Sequence, residues 1–140
     1  MEIVLDSNII FSALIKDSII RELILNFPGK LLFPEYIFEE IIEHKEELAE
    51  KLGLNKGKLE FILNNLLKNV KIVPTILLEE YKQEATELMK NLDIDDILFI
   101  ACALKYPNSS IWSNDKNLRK QNKIRIFSTK EILELINSEF

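Results

Sequence analysis

Glu2-Ile3-Val4-Leu5-Asp6-Ser7-Asn8 decides how the rest of the chain is read: an unbroken apolar run, an acid, then residues that open helices. Ile3, Val4 and Leu5 predict a short strand buried on both faces, because an uninterrupted apolar run suits the inside of a parallel sheet. Asp6 stands at the C-terminal end of that strand. A carboxylate packs poorly there but ligates well. Mg²⁺ and Mn²⁺ prefer hard oxygen donors, and open α/β sheets bind ligands beyond the carboxyl ends of their strands. Asp6 also has a plain structural use as a cap for the following helix, and these residues alone fit both readings.

Outward from this stretch, short apolar runs alternate with helical periodicity. Strands are predicted at Glu2–Leu5, Leu31–Phe33, Val70–Val73, Ser110–Ser113 and Arg125–Phe127. Ser7 or Asn8 is expected to cap a helix running to about Lys16, and Asp17 or Ser18 a second that stops before Pro28-Gly29. Pro34 suits the first turn of one long helix, whose apolar positions Ile37, Phe38, Ile41, Ile42 and Leu48 keep the 3.6-residue period as far as Gly53. Further helices are predicted at Leu59–Leu67, Leu77–Asn91 and Asp95–Lys105. A short basic helix follows Asp115, and a last helix is capped by Ser128 or Thr129 with Glu131 placed for a capping box. Strands alternating with helices imply a single α/β domain, a parallel sheet of four to five short strands with helices on both faces.

One hundred and forty residues bury a core without staples. Apolar residues make up 47% of the chain, yet the runs are short and broken by charge, so no membrane span is expected. No basic-then-apolar leader opens the sequence. The single cysteine, Cys102, lies in a small apolar helical run and is expected to be a buried core thiol, which suits a reducing cytoplasm. A net charge of −5 argues against a non-specific nucleic-acid coat but leaves a nuclease open. Distribution says more: Lys116, Arg119, Lys120, Lys123 and Arg125 form a run without an acid, directly after Asp115. That run reads either as phosphate contacts or as a solvated helix face.

Four acids fall where periodic segments break or turn inward: Asp6, Glu40, Asp96 and Asp115. Glu40 sits at the edge of an apolar stripe, one turn before the lone histidine, His44, which is not counted as a ligand. Asp93, Asp95 and Asp96 crowd one helix start, where acids contribute roughly 0.3–1 kcal/mol each; three exceed that need. Asp93 suits the cap, and Asp96 lies in register with Ile100 on the inward stripe. Each acid alone has an ordinary structural explanation. Four at strand ends and adjacent helix starts are better explained by one site.

The order Val4-Leu5-Asp6-Ser7-Asn8, Phe38-Glu39-Glu40-Ile41-Ile42, Asp93 through Leu104 and Ile111 through Leu118 resembles the PIN domain, the nuclease fold named after the PilT N-terminus. The likeness runs over essentially the whole of residues 1–140. It implies a PIN-like fold and a metal-dependent endoribonuclease, with Asp6, Glu40, Asp96 and Asp115 as the catalytic, metal-binding quartet for Mg²⁺ or Mn²⁺. Asn8 and Ser113 match its polar supports, with Asn114 beside them; Glu39 competes with Glu40, and Asp95 with Asp96. The basic run, Lys116, Arg119, Lys120 and Lys123, would contact RNA. The resemblance further implies a cytoplasmic toxin of a toxin–antitoxin pair, homodimeric and blocked by a small antitoxin; RNA-processing nucleases share the domain. A non-catalytic metal- or protein-binding module is the alternative. A phospho-acceptor enzyme is disfavoured because Asn8 stands where that chemistry wants a second aspartate, and no Gly-rich phosphate loop is present.

Overall fold

A computed structural model describes residues 1–15, 18–89 and 93–139. Five strands, β1 (Glu2–Leu5), β2 (Lys30–Pro34), β3 (Val70–Val73), β4 (Ser110–Trp112) and β5 (Ile126–Phe127), form one sheet in the order β3-β2-β1-β4-β5. All pairings are parallel, with Val4 opposite Leu32 on one side and Ile111 on the other. Ile3, Val4 and Leu5 are all fully buried. Successive strand residues point to opposite faces, so both faces of the central strand are covered. The expected α/β class and the strand positions therefore hold to within a residue or two.

The connecting helices are α1 (Ser7–Leu14), α2 (Ile19–Leu25), α3 (Glu35–Glu43), α4 (Lys45–Leu52), α5 (Lys56–Leu67), α6 (Lys82–Leu88), α7 (Ile94–Lys105) and α8 (Thr129–Glu139). Three expectations need correction. Asp6, not Ser7 or Asn8, is the N-cap of α1, accepting from the Asn8 N–H at 2.9 Å. The long helix expected from Pro34 is two helices that meet at His44, with Pro34 itself the last residue of β2. The break has a packing cause: α3 lies on β2 and β3, whereas α4 turns to pack on α5, leaving Ile42 exposed despite its apolar period. The helix expected at Leu77–Asn91 opens as a 3-10 helix, Thr75–Tyr81, before α6 begins. The Lys16, Asp17 and Asn91 ends of the expected helices lie outside the described residues.

Other local signals act as expected. Ser18 caps α2 and Gly53 closes α4 in the left-handed conformation that glycine adopts without strain. Ser128 and Glu131 exchange bonds as a capping box: the Glu131 N–H donates to the Ser128 hydroxyl at 3.2 Å, and the Ser128 N–H donates to the Glu131 carboxylate at 3.0 Å. Cys102 is fully buried, and burial pushes its thiol up to about 12.

Gly29 marks a tight approach where β2 begins beside β1. A methyl added there would stand 2.4 Å from the Met1 carbonyl oxygen, which already accepts from the Lys30 N–H. Gly29→Ala should therefore cost about 1–3 kcal/mol, read as a lower denaturant midpoint with an unchanged slope. A midpoint equal to wild type would show that the β1–β2 start is freer than this contact implies.

Candidate active site

Two adjacent parallel strands, β1 and β4, end side by side, and the chain reverses its build direction between them. After β1 it runs outward through β2 and β3, then returns across the sheet to β4 and β5. This is the topological switch point of an open α/β sheet, where a crevice opens beyond the strand ends. Asp6 follows β1, and Ser113-Asn114-Asp115 follows β4. The Asp6 N–H donates to the Trp112 carbonyl at 3.1 Å, which ties the two ends together.

Asp6 is one of the few buried polar residues, 4% exposed, and both its carboxylate oxygens are engaged. Oδ1 accepts from the Asn8 N–H, and Oδ2 accepts a short hydrogen bond from the fully buried Ser113 hydroxyl. The same Ser113 oxygen accepts from the Asp115 N–H at 3.0 Å. Ser113 thus holds Asp6 and the backbone of Asp115 in one geometry. Asn8 contributes its backbone N–H, while its side chain is exposed. Asn114 points elsewhere: it bonds both ways with Thr129 at the start of α8, fixing the loop rather than meeting Asp6. Asp115 is exposed and caps the basic 3-10 helix Lys116–Lys120 through the Asn117 N–H.

The other acids converge from α3 and α7. Asp93 caps α7 by accepting from the Asp96 N–H at 2.9 Å, which leaves Asp95 and Asp96 in the first turn, both half-buried. Burial, then Glu40, Asp93 and Asp6, raises Asp95 above the ordinary carboxylate range. Burial, then Asp93, Asp115, Asp6 and Asp95, pushes Asp96 up to about 6. Asp6 acts on both. Glu40 acts on Asp95 and Asp115 acts on Asp96, and Glu40 and Asp95 also line one cleft. Glu40 is half-buried and Glu39 exposed.

The charges raising these two pKa values are all carboxylates, an arrangement that a divalent cation relieves and that supplies only hard oxygen donors. Among the described residues, no three carboxylate, imidazole or thiol groups already converge tightly enough to hold an ion. Uncompensated acids repel, and the donor chemistry fits Mg²⁺ or Mn²⁺ once that repulsion is offset.

A raised carboxylate pKa has a definite sign. The folded state holds the proton more tightly than the unfolded chain. The resulting penalty is absent below about 4 and grows as pH rises through about 6. In EDTA, Asp96→Asn should melt higher than wild type at pH 7.5 and lose most of that advantage by pH 4. An equal difference at both pH values would show that Asp96 titrates normally.

The basic run is partly committed. Arg119 pairs with Glu131 and Lys123 with Glu84, while Lys116 and Lys120 are exposed and form no ion pair among the described residues. Reading the sequence missed a cleft of about 380 Å³ that opens from Glu40 and Asp95 along α4. Phe11, Leu48, Lys51 and His44 line it. A signal existed: positions 40, 44, 48 and 51 recur at helical spacing on one face.

Comparison with known proteins follows the same lines. The PIN domain family matches residues 4–135 of this chain. No curated protein matches it. Among solved structures, the chain resembles the crystal structure of VapBC2 from Rickettsia felis bound to a DNA fragment from their promoter. The TM-score is 0.68 at 18% identity, covering 91% of this chain and 98% of that one. At that identity the likeness is one of fold.

Proposed function

This chain belongs to the PIN domain family, and from that premise we propose that it is a metal-dependent endoribonuclease, hydrolysing phosphodiester bonds of RNA as the toxin of a toxin–antitoxin pair. The observation that carries this reading is the meeting of Asp6 with Ser113 and Asp115 at the β1–β4 switch point, with Asp95, Asp96 and Glu40 acting on the same charge cluster.

Asp6, Glu40, Asp96 and Asp115 would hold Mg²⁺ or Mn²⁺, with Asp95 beside Glu40. When bound, the cation supplies Lewis acidity to the scissile phosphate and offsets its developing charge. Ser113 keeps Asp6 oriented by donating to it. Asp96 or Asp115 positions the attacking water, and Lys116 and Lys120 offer phosphate contacts that position RNA without reading its sequence. The fold likeness to VapBC2 supports a small antitoxin as partner, with a homodimeric, cytoplasmic protein as the expected form. Among the described residues no helix is long and apolar enough to cross a membrane.

Incubation of labelled single-stranded RNA with the protein and Mg²⁺ or Mn²⁺ tests the reading. Cleavage that EDTA abolishes and added metal restores is the expected result. Cleavage indifferent to EDTA would remove the metal from the reaction. Metal binding by calorimetry without any cleavage would favour the non-catalytic module instead.

A further inference from the structure

The sheet ends in an open strand. β5 pairs with β4 alone, so its far side faces out of the sheet. Backbone groups alternate in direction along a strand. Arg125 and Phe127 turn their carbonyls to β4, accepting from the Ile111 and Ser113 N–H groups at 2.9 Å each. Ile124, Ile126 and Ser128 therefore turn their backbones outward.

Two of those three are served by groups of this chain. The Gln121 amide bonds Ile124 both ways: its Oε1 accepts from the Ile124 N–H at 2.8 Å, and its Nε2 donates to the Ile124 carbonyl at 2.7 Å. Gln121 is only 8% exposed and supplies this rung as a neighbouring strand would. The Ser128 N–H donates to Glu131, and its carbonyl accepts from the Ile132 N–H. Ile126, between them, has no partner for its N–H or carbonyl among the described residues. Unpaired groups on an edge strand are a template for another strand.

A groove of about 360 Å³ lies along this edge, lined by Gln121, Ile124 and Ile126 and by the cations Arg119, Lys123 and Arg125. No acid among the described residues lines it. Carboxylates already reach two of the cations, Glu131 meeting Arg119 and Glu84 meeting Lys123. Arg125 stacks over the Phe127 ring at 4.6 Å and forms no ion pair among the described residues. Cations on an edge keep identical strands apart. A second β5 is repelled here, and an acidic strand is attracted.

We propose that the open edge of β5 is a docking site for an acidic, extended segment of a partner protein, which starts beside the Gln121 amide, pairs with Ile126 as a sixth strand and sets its carboxylates on Arg125 and Lys123. RNA could meet the cations but offers no strand to pair with both Ile126 groups. This docking stands apart from the ribonuclease activity and survives its loss.

The test uses the full chain and a labelled synthetic peptide of alternating glutamate and valine, with a lysine–valine peptide and a single-stranded oligoribonucleotide as rivals. Fluorescence anisotropy reads affinity for wild type, Arg125→Glu and the control Lys58→Glu, an exposed position on α5 outside the groove. Wild type should bind the acidic peptide and not the basic one. Arg125→Glu should lose about tenfold or more for the acidic peptide and gain affinity for the basic one, with Lys58→Glu unchanged. Hydrogen exchange at the Ile126 amide should slow when the acidic peptide is bound. Failure of wild type to bind the acidic peptide at millimolar concentration would overturn the proposal, as would binding unchanged in Arg125→Glu. Binding that leaves exchange at Ile126 unaltered would reduce the contact to charge attraction and overturn the strand pairing. RNA that slows the Ile126 amide where the peptide does not would give the groove to RNA and overturn it too. Should Arg125→Glu not fold by circular dichroism, Arg125→Gln decides in its place.

Discussion

Asp6→Asn should lower RNA cleavage by about a thousandfold or more while leaving the protein folded. The magnitude follows from the role: losing the acid shared by the whole cluster removes metal-derived charge stabilisation of several kcal/mol, and about 4 kcal/mol is a factor of a thousand in rate. The fold should survive because asparagine keeps one oxygen to accept from the Asn8 N–H, while the Ser113 hydroxyl rotates to accept from the new amide. Removing one charge also relieves Asp95 and Asp96, both raised partly by Asp6, so in EDTA the variant should melt no lower than wild type. Calorimetry should show metal affinity lost in parallel. Full activity in a purified Asp6→Asn protein would take Asp6 out of the reaction.

Trp112→Ala should cost about 3–5 kcal/mol, lowering the melting midpoint by roughly 10–20 °C. Trp112 is fully buried at the end of β4, beside the residues that carry the site. Its indole N–H donates to the Thr129 hydroxyl at 3.0 Å, and Asn114 donates to the same oxygen. The substitution therefore opens a large cavity and frees the loop that leads to Asp115. Against a total stability of 5–15 kcal/mol typical of such domains, this is a large fraction. Thr129→Val separates the polar share and should cost about 1 kcal/mol, with activity reduced if the Asn114 loop loosens. Trp112→Ala melting within a few degrees of wild type would contradict the packing described here.

Much of this was legible in the residues. Apolar runs marked the strands because burial on both faces of a parallel sheet leaves no room for polar alternation. Asp93 as a cap, Ser128 with Glu131 as a capping box and Cys102 as a core thiol were legible for the same kind of reason: each depends on neighbours within one helical turn. The break at His44 was not legible, because the 3.6-residue period continues through it; what bends the chain there is α5, which α4 must meet. Nor was the split of the basic run. Arg119 and Lys123 carry the same charge as Lys116 and Lys120, and only the approach of Glu131 and Glu84 distinguishes them.

The chain's own order thus determined where the strands lie, most of the helices, and that an acid stands at several of their ends, since these are settled by local periodicity and capping; the division at His44 is the exception. Only the tertiary structure decided that β4 lies against β1. That placement brings the Ser113 hydroxyl to Asp6 across 107 residues of sequence, and the packing of the helices brings Glu40 and Asp95 to one cleft that Lys51 also lines. Local sequence carries little information about contacts between residues so far apart. They are fixed when the sheet closes and buried apolar faces select one strand order.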